Sequence, residues 1–234
     1  MRVAAAARST GEAPLICLGG HDFVPDVCGA LFWPAERMLI AADLHLEKGS
    51  SLARRGSLAP PYDTAATLAR LNAALMRYAP QTLLLLGDSF HDTGWPERLD
   101  AADRDRIMAL GRGREVMWIT GNHDPALPAE LPGRAAHELA IGGITFRHEP
   151  ALRAEVAEIA GHLHPAVLVP GPRGSVRARC FVSDARRIIL PAFGAFTGGL
   201  DLRNAAFDGL FDRRAALASA LGSRQVFQVA AYSR

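Results

Sequence analysis

Three short apolar runs dictate most of what this chain can become: Met38 to Ala42, Thr82 to Leu86 and Val116 to Thr120. Each is apolar on nearly every residue, which suits a strand buried on both faces, the kind found in parallel sheets. Between the first two runs lies a helical stretch that ends at Tyr78. Asp63 or Thr64 is placed to cap it, and Leu68, Leu71, Leu75 and Met76 form its apolar stripe. Between the second and third runs, Asp103 to Leu110 reads as another helix, closed by Gly111 to Gly113. Strand and helix in alternation predict an α/β fold, whose ligands bind at the carboxyl edge of the sheet.

Each run ends in residues with chemistry to offer. The first ends in Asp43-Leu44-His45, where an extended backbone would point Asp43 and His45 to the same side. The second ends in Gly87-Asp88-Ser89-Phe90-His91-Asp92, and a carboxylate just past a glycine is well placed to bridge two cations. The third ends in Gly121-Asn122-His123-Asp124. There Gly121 permits a sharp turn, and Asn122 offers a carbonyl oxygen to a metal. His123 offers an imidazole to whatever the metal holds, with Asp124 expected to accept its N–H and fix its tautomer. Taken alone, those four residues are also ordinary turn chemistry.

The remaining segments are less sharply defined. Pro14 to Gly19 and Ala30 to Trp33 read as a hairpin feeding the first buried strand. Glu47 to Ala59 reads as an exposed loop or broken helix that Pro60-Pro61 stops. It carries Lys48, Arg54 and Arg55. The guanidinium forks of Arg54 and Arg55 suit phosphates, and a solvated face fits them equally well. Past Asp124 comes a Pro-rich loop, Pro125 to Pro132. Gly142-Gly143 then marks a hairpin within Glu138 to Arg147, which ends in His148-Glu149-Pro150. Val156 to Ala160 reads as a strand ending in Gly161-His162-Leu163-His164, with both imidazoles on one side of an extended segment. Val176 to Val182 and Arg187 to Leu190 belong to a second sheet. The Gly-rich stretch Pro191 to Gly199 is either a phosphate-binding nest or a plain sheet-edge loop.

At 234 residues the chain has room for one large α/β domain or two small ones. A single domain over 14–234, preceded by a flexible stretch over 1–13, is expected. The net charge of +2 does not by itself call for nucleic acid. Cys17, Cys28 and Cys180 are odd in number and lack a C-x-x-C pair, so they read as reduced thiols. No apolar core of a signal peptide precedes Pro14, and no apolar stretch approaches the roughly 20 residues that span a bilayer. A cytoplasmic protein with no membrane partner is expected.

In order, the chain presents D-x-H, G-D, G-N-H-D, H and G-H-x-H. That ordered set, from Asp43 to His164, resembles the calcineurin-like metallophosphoesterase superfamily. The resemblance implies a four-layer α/β/β/α sandwich with two metals between the carboxyl ends of its sheets. It implies Asp43, His45, Asp88 and His164 around the first metal, and Asp88, Asn122, His148 and His162 around the second. His123 would assist the leaving group, with Asp124 orienting it. Mixed oxygen and imidazole ligands without thiolate suit two divalent transition metals, manganese foremost, with iron or zinc as alternatives.

Further stretches narrow the resemblance: Asp43 to Lys48, Gly56 to Thr64, Leu86 to Asp92, His148-Glu149-Pro150 and Pro191 to Gly199. They are similar to the ligase-associated DNA damage response endonucleases. This implies a manganese-dependent phosphodiesterase that cuts DNA, single-stranded in preference, in functional association with a DNA ligase, a helicase and a nuclease of a repair gene cluster. His91 has no metal role in the general motif and is a candidate substrate contact, as are Arg54 and Arg55. Phe90 could stack on an unpaired base or simply fill the core. A phosphomonoesterase or a nucleotide pyrophosphatase remains the alternative, since a fold does not fix a substrate. A non-catalytic scaffold is disfavoured because no ligand is missing.

Overall fold

The computed structural model describes residues 14–57, 62–171 and 174–232. The expected flexible stretch over 1–13 and the Pro60-Pro61 stop lie outside the described residues.

The first sheet runs in chain order. β1 (Ile16–Leu18), β2 (His21–Pro25), β3 (Leu31–Trp33) and β4 (Met38–Ala42) form an antiparallel meander. From β4 the pairing turns parallel, through β5 (Thr82–Leu86) and β6 (Glu115–Ile119) to β7 (Arg134–Ala136). Two helices, α1 (Lys48–Arg54) and α2 (Asp63–Tyr78), connect β4 to β5, and α3 (Ala101–Ala109) connects β5 to β6. Strand geometry then sorts the apolar runs by parity. Leu39, Ala41, Leu83, Leu85, Val116 and Trp118 pack with α2 and α3. Ile40, Ala42, Leu84, Leu86, Met117 and Ile119 pack against the second sheet. Both faces are buried, which is why these runs carry no polar alternation.

The second sheet begins with the hairpin of β8 (Glu138–Ile141) and β9 (Ile144–Arg147). Gly142 and Gly143 both have positive φ, 59° and 77°, as a tight hairpin turn requires. Next come β10 (Ala157–Ala160), β11 (Pro165–Gly171), β12 (Gly174–Ser183), β13 (Arg187–Ile189) and β14 (Leu200–Asp201). Their order across the sheet is β14-β11-β12-β13-β10-β9-β8. β15 (Leu217–Leu221) and β16 (Val226–Ala230) extend it from β12. Phe146, Ile159, Phe181 and Ile188 point between the sheets, while Cys180, Val182 and Ile189 point outward. Among the described residues no α-helix covers that outer face. A 3₁₀ turn, Ala205–Phe207, and its surroundings seal it with Phe207, Leu210 and Phe211.

The backbone stitches the two sheets together at their carboxyl ends. Ala42 and Ala192 form a parallel bridge. The Phe193 amide donates to the Ala42 carbonyl at 2.8 Å and the Gly194 amide to Asp43 at 3.1 Å. The Ala195 amide is taken by Thr67 Oγ1. With these amides engaged, the stretch from Phe193 to Ala195 acts as a sheet-edge loop.

Several local expectations change. Met76 is 77% exposed, and the buried stripe of α2 is Leu68, Leu71, Ala74 and Leu75. Asp63 and Thr64 do not cap α2, which begins after Tyr62 without a side-chain cap. Asp63 instead accepts from the Gly49 amide at 3.0 Å. Thr64 Oγ1 accepts from the Glu47 amide at 2.8 Å and donates to the Glu47 carboxylate at 2.9 Å. Both residues therefore tie α2 to the segment that follows the first motif. β2 and β11 were not expected: His21-Asp-Phe-Val-Pro25 has only two apolar interior residues, and β11 contains two prolines, which weaken a strand signal. Among the described residues no helix is long and apolar enough to cross a membrane.

Candidate metal centre

The loops that leave β4 and β5 run on side by side. The Asp43 amide donates to Gly87, His45 to Asp88 and Leu46 to Ser89, and the His91 amide returns to Leu46. Across from them, the Gly161 amide donates to the His148 carbonyl and the His162 amide reaches the Asp43 carboxylate at 2.9 Å. Four turns from two sheets thus converge, and they bring the expected side chains together. Asp43, His45 and His164 place ligand atoms within 4.8 Å of one another, and Asp88, His148 and His162 do the same. The Asn122 side-chain oxygen lies 2.9 Å from His148 Nε2. Asp88 spans the two groups, with Oδ1 3.4 Å from His148 Nε2 and Oδ2 3.8 Å from His45 Nε2.

The route to this convergence is not the alternation of a strand. β4 ends at Ala42, and Asp43 and His45 have φ of 55° and 45°. Asp88, His162 and His164 are left-handed too, at 46°, 68° and 47°. Such turns curl each donor inward. They cost on the order of 1 kcal/mol or more for each non-glycine residue and persist only where the surroundings hold them. Neighbouring glycines make the room. A Cβ on Gly87 would lie 2.2 Å from His148 Nδ1, and one on Gly121 would lie 2.2 Å from Asp88 Oδ1. Gly121 is thus required for the close approach of a carboxylate.

Asp124 does not orient His123. Its two oxygens accept four backbone amides, from Asp88 at 3.1 Å, Ser89 at 2.7 Å, Phe90 at 3.1 Å and Gly121 at 2.9 Å. It clamps the second and third motifs to each other. His123 Nδ1 lies 2.6 Å from the backbone oxygen of His91 instead. A carbonyl only accepts, so Nδ1 carries the proton and Nε2, 3.9 Å from Asp88 Oδ2, faces the centre. The His91 ring stacks on His123 with centroids 5.3 Å apart. Phe90 is fully buried and stacks on Trp95, so it is core and not a platform for a base. Arg54 and Arg55 are exposed at the end of α1. Burial lowers the pKa of His91, helped first by the charge of Lys48 and also by that of Arg55. Arg55 and Lys48 therefore stand near the site, while nothing ties Arg54 to it.

Comparison with known proteins fits this geometry. The family model described as calcineurin-like phosphoesterase matches residues 36–168, which hold all of these motifs. The chain belongs to the calcineurin-like phosphoesterases. A crystal structure of the Pseudomonas putida nuclease MPE is similar with a TM-score of 0.73 and 29% identity, over 93% of this chain and 100% of that one. The E. coli phosphoesterase Yfce shares 18% identity with a TM-score of 0.41, over 83% of this chain and 99% of that one. No curated protein matches in sequence. As a member of this family the protein is a metal-dependent phosphoester hydrolase with a mixed α/β fold of two sheets.

The electrostatics of this phosphoesterase agree with a cation requirement. His45 Nε2 faces His164 Nε2 at 3.3 Å, and His162 Nδ1 faces His148 Nε2 at 3.1 Å. Two imidazole nitrogens so close must hold either a proton or a metal ion between them. Burial holds His45 down to about 3, in its neutral, ligating form. Burial opposes a charge on His148 as well, but Asp88 and Asp43 outweigh it and push His148 up to about 9. Burial likewise works against ionised Asp88, yet the His148 contact wins and holds it at about 2. One imidazole thus takes up a proton where a cation is wanted, and the nitrogen and oxygen donors fit a divalent metal.

Sequence reading missed the supports around the centre. Arg98 bridges Ser50 at 2.9 Å and Asp92 at 2.7 Å, fixing α1 to the segment after His91. The carbonyl of His91 was invisible because any residue supplies one.

Proposed function

We propose that this phosphoesterase is an endonuclease that hydrolyses DNA phosphodiester bonds, single strands in preference to duplex, and serves DNA repair in the cytoplasm. Asp43, His45, Asp88 and His164 would hold one divalent transition-metal ion, and Asp88, Asn122, His148 and His162 a second, with manganese foremost. The observation that carries the reading is the pairing of two ligand groups through Asp88, with the His123 imidazole beside them. The similarity to a nuclease supports the substrate class, and the resemblance to the repair-endonuclease branch supports DNA, manganese and an association with ligase, helicase and nuclease partners.

Two bound ions would polarise a phosphoryl oxygen and lower the pKa of an attacking water. The chain's own residues supply the rest. The His91 carbonyl takes the Nδ1–H of His123 and so points Nε2 at the centre, where, in the doubly protonated ring, it can deliver its proton to the departing ester oxygen and be left with a lone pair. The His123 amide donates to Asp88 Oδ1 at 2.9 Å, which locks the acid to the shared carboxylate. Asp124 holds both loops in register. Lys48 and Arg55 offer positive charge on the His91 side for a neighbouring phosphate.

The test is a gel assay with manganese on circular single-stranded DNA, which has no ends. Linearisation and then fragmentation are expected. An untouched circle, under conditions where a phosphate monoester or a nucleotide diphosphate is hydrolysed well, would move the assignment to small molecules.

A further inference from the structure

The mouth between the two sheets contains a cavity of about 320 Å³. Thr120, Asn122, Pro125, His137, Arg147 and Glu149 line it, with His148 behind them. Asn122 and His148 belong to the second ligand group, so the cavity opens directly from the centre. One wall is the junction of β6 and β7, where the Thr120 amide donates to the Ala136 carbonyl at 2.9 Å. The other wall is the β8–β9 ladder, where Glu138 pairs with Arg147. A diester seated on the centre has two ester arms, and this cavity is in reach of one.

Charge decides what that arm can be. The Arg147 guanidinium is already held by Glu138 at 3.3 Å and by the buried Glu158 at 3.4 Å. Glu149 adds a further exposed carboxylate. Among the described residues that line it, a second phosphate would find no free cation and would face Glu138 and Glu149, an unfavourable encounter at short range. A neutral, flat group with donors and acceptors on its edge finds a better match. Thr120 and His137 each donate or accept, Glu149 accepts, and Pro125 exposes a ring face. The volume lies at the bottom of the roughly 300–1,000 Å³ range of small-ligand sites, suited to one nucleoside rather than a stack of them.

We infer that this cavity is a nucleoside subsite, which takes the base and sugar of the nucleotide adjoining the bond that is cut. The inference rests on the phosphodiesterase reading above.

Three diesters with the same leaving group test it: bis(4-nitrophenyl) phosphate, which has no base, and the 3′- and 5′-(4-nitrophenyl phosphates) of thymidine. With the manganese-loaded protein, kcat/KM for one thymidine isomer should exceed that for the baseless ester by about tenfold or more. His137→Ala and Thr120→Val, at an exposed and a half-exposed position, should each cut that preference by about three- to tenfold, through KM. A preference that survives both substitutions, or that wild type lacks, overturns the subsite and leaves the phosphodiesterase reading standing. If all three diesters resist while 4-nitrophenyl phosphate is turned over, the phosphodiesterase reading fails and the subsite with it.

Discussion

The two ligand groups share chemistry and differ in setting. Asp43 and His45 lie at 0% and 5% exposure beneath the loop that stitches the sheets together. Across the shared Asp88, Asn122 is exposed, the His162 side chain is 34% exposed, and both lie toward the mouth. His45 is held neutral by its burial, whereas His148 is driven to take up a proton by two carboxylates. The first group is the deeper floor, with His164 its most exposed ligand at 22% for the side chain, and the second, where only His148 is buried beside Asp88, is the more open wall, on the side of the cavity at the mouth.

Four predictions would break or sharpen that contrast. The largest effect belongs to Asp88→Ala, which removes the one side chain common to both groups. Metal content should fall from two ions per chain toward none, with activity at background. Retention of one tightly held ion would show that the floor stands without the wall. His123→Ala should leave both ions in place and slow cleavage of poor leaving groups by about 10²–10⁴-fold. The loss should be much smaller on a 4-nitrophenolate leaving group, and equal losses on both would reassign His123 to positioning. Asp124→Asn replaces an acceptor of four amides with a group that must turn an N–H toward some of them. Metal affinity should drop by about 10–100-fold, together with a lower melting temperature. A change confined to leaving-group dependence would restore the link between Asp124 and His123. The smallest effect is in the order of metal loss. Graded chelation should strip the open group first and give a plateau near one ion per chain, and a single-step loss would erase the distinction drawn here.

That the candidate ligand side chains would meet was legible because each follows a strand that can be read in the sequence. Asp43, Asp88 and Asn122 come within three residues after β4, β5 and β6, and His148 and His162 within two after β9 and β10. Their geometry was not legible. Alternation suggested that D-x-H and H-x-H lie on extended chain, but side-chain period carries no information about a backbone that leaves the β region. Asp124 was assigned to the nearest imidazole because sequence displays side chains and hides amides, and amides are what it binds. Met76 was misjudged for a related reason, while for Phe90 the core reading held and the base platform did not. Whether an apolar residue packs depends on the element opposite: Trp95 covers Phe90, and among the described residues no element covers Met76. The outer layer of the second sheet was unreadable because loops and a 3₁₀ turn, with no period of their own, build it.

The left-handed turns also limit how this centre can vary. At Asp43, His45, Asp88, His162 and His164 a replacement must satisfy a backbone constraint before any question of ligand chemistry arises. Val, Ile and Thr are excluded at once by their branched Cβ. Glu reaches this conformation nearby, at Glu47 with φ of 63°, but its longer side chain would set the carboxylate at a different reach from that of Asp. Asn and Gly are the residues that enter such turns freely, and one is a weak ligand and the other none. A mutational library at these five positions should therefore return few functional sequences, nearly all of them Asp, Asn or His. Diversity among relatives that keep this backbone should accumulate instead around the cavity at the mouth, where no lining residue has a left-handed φ.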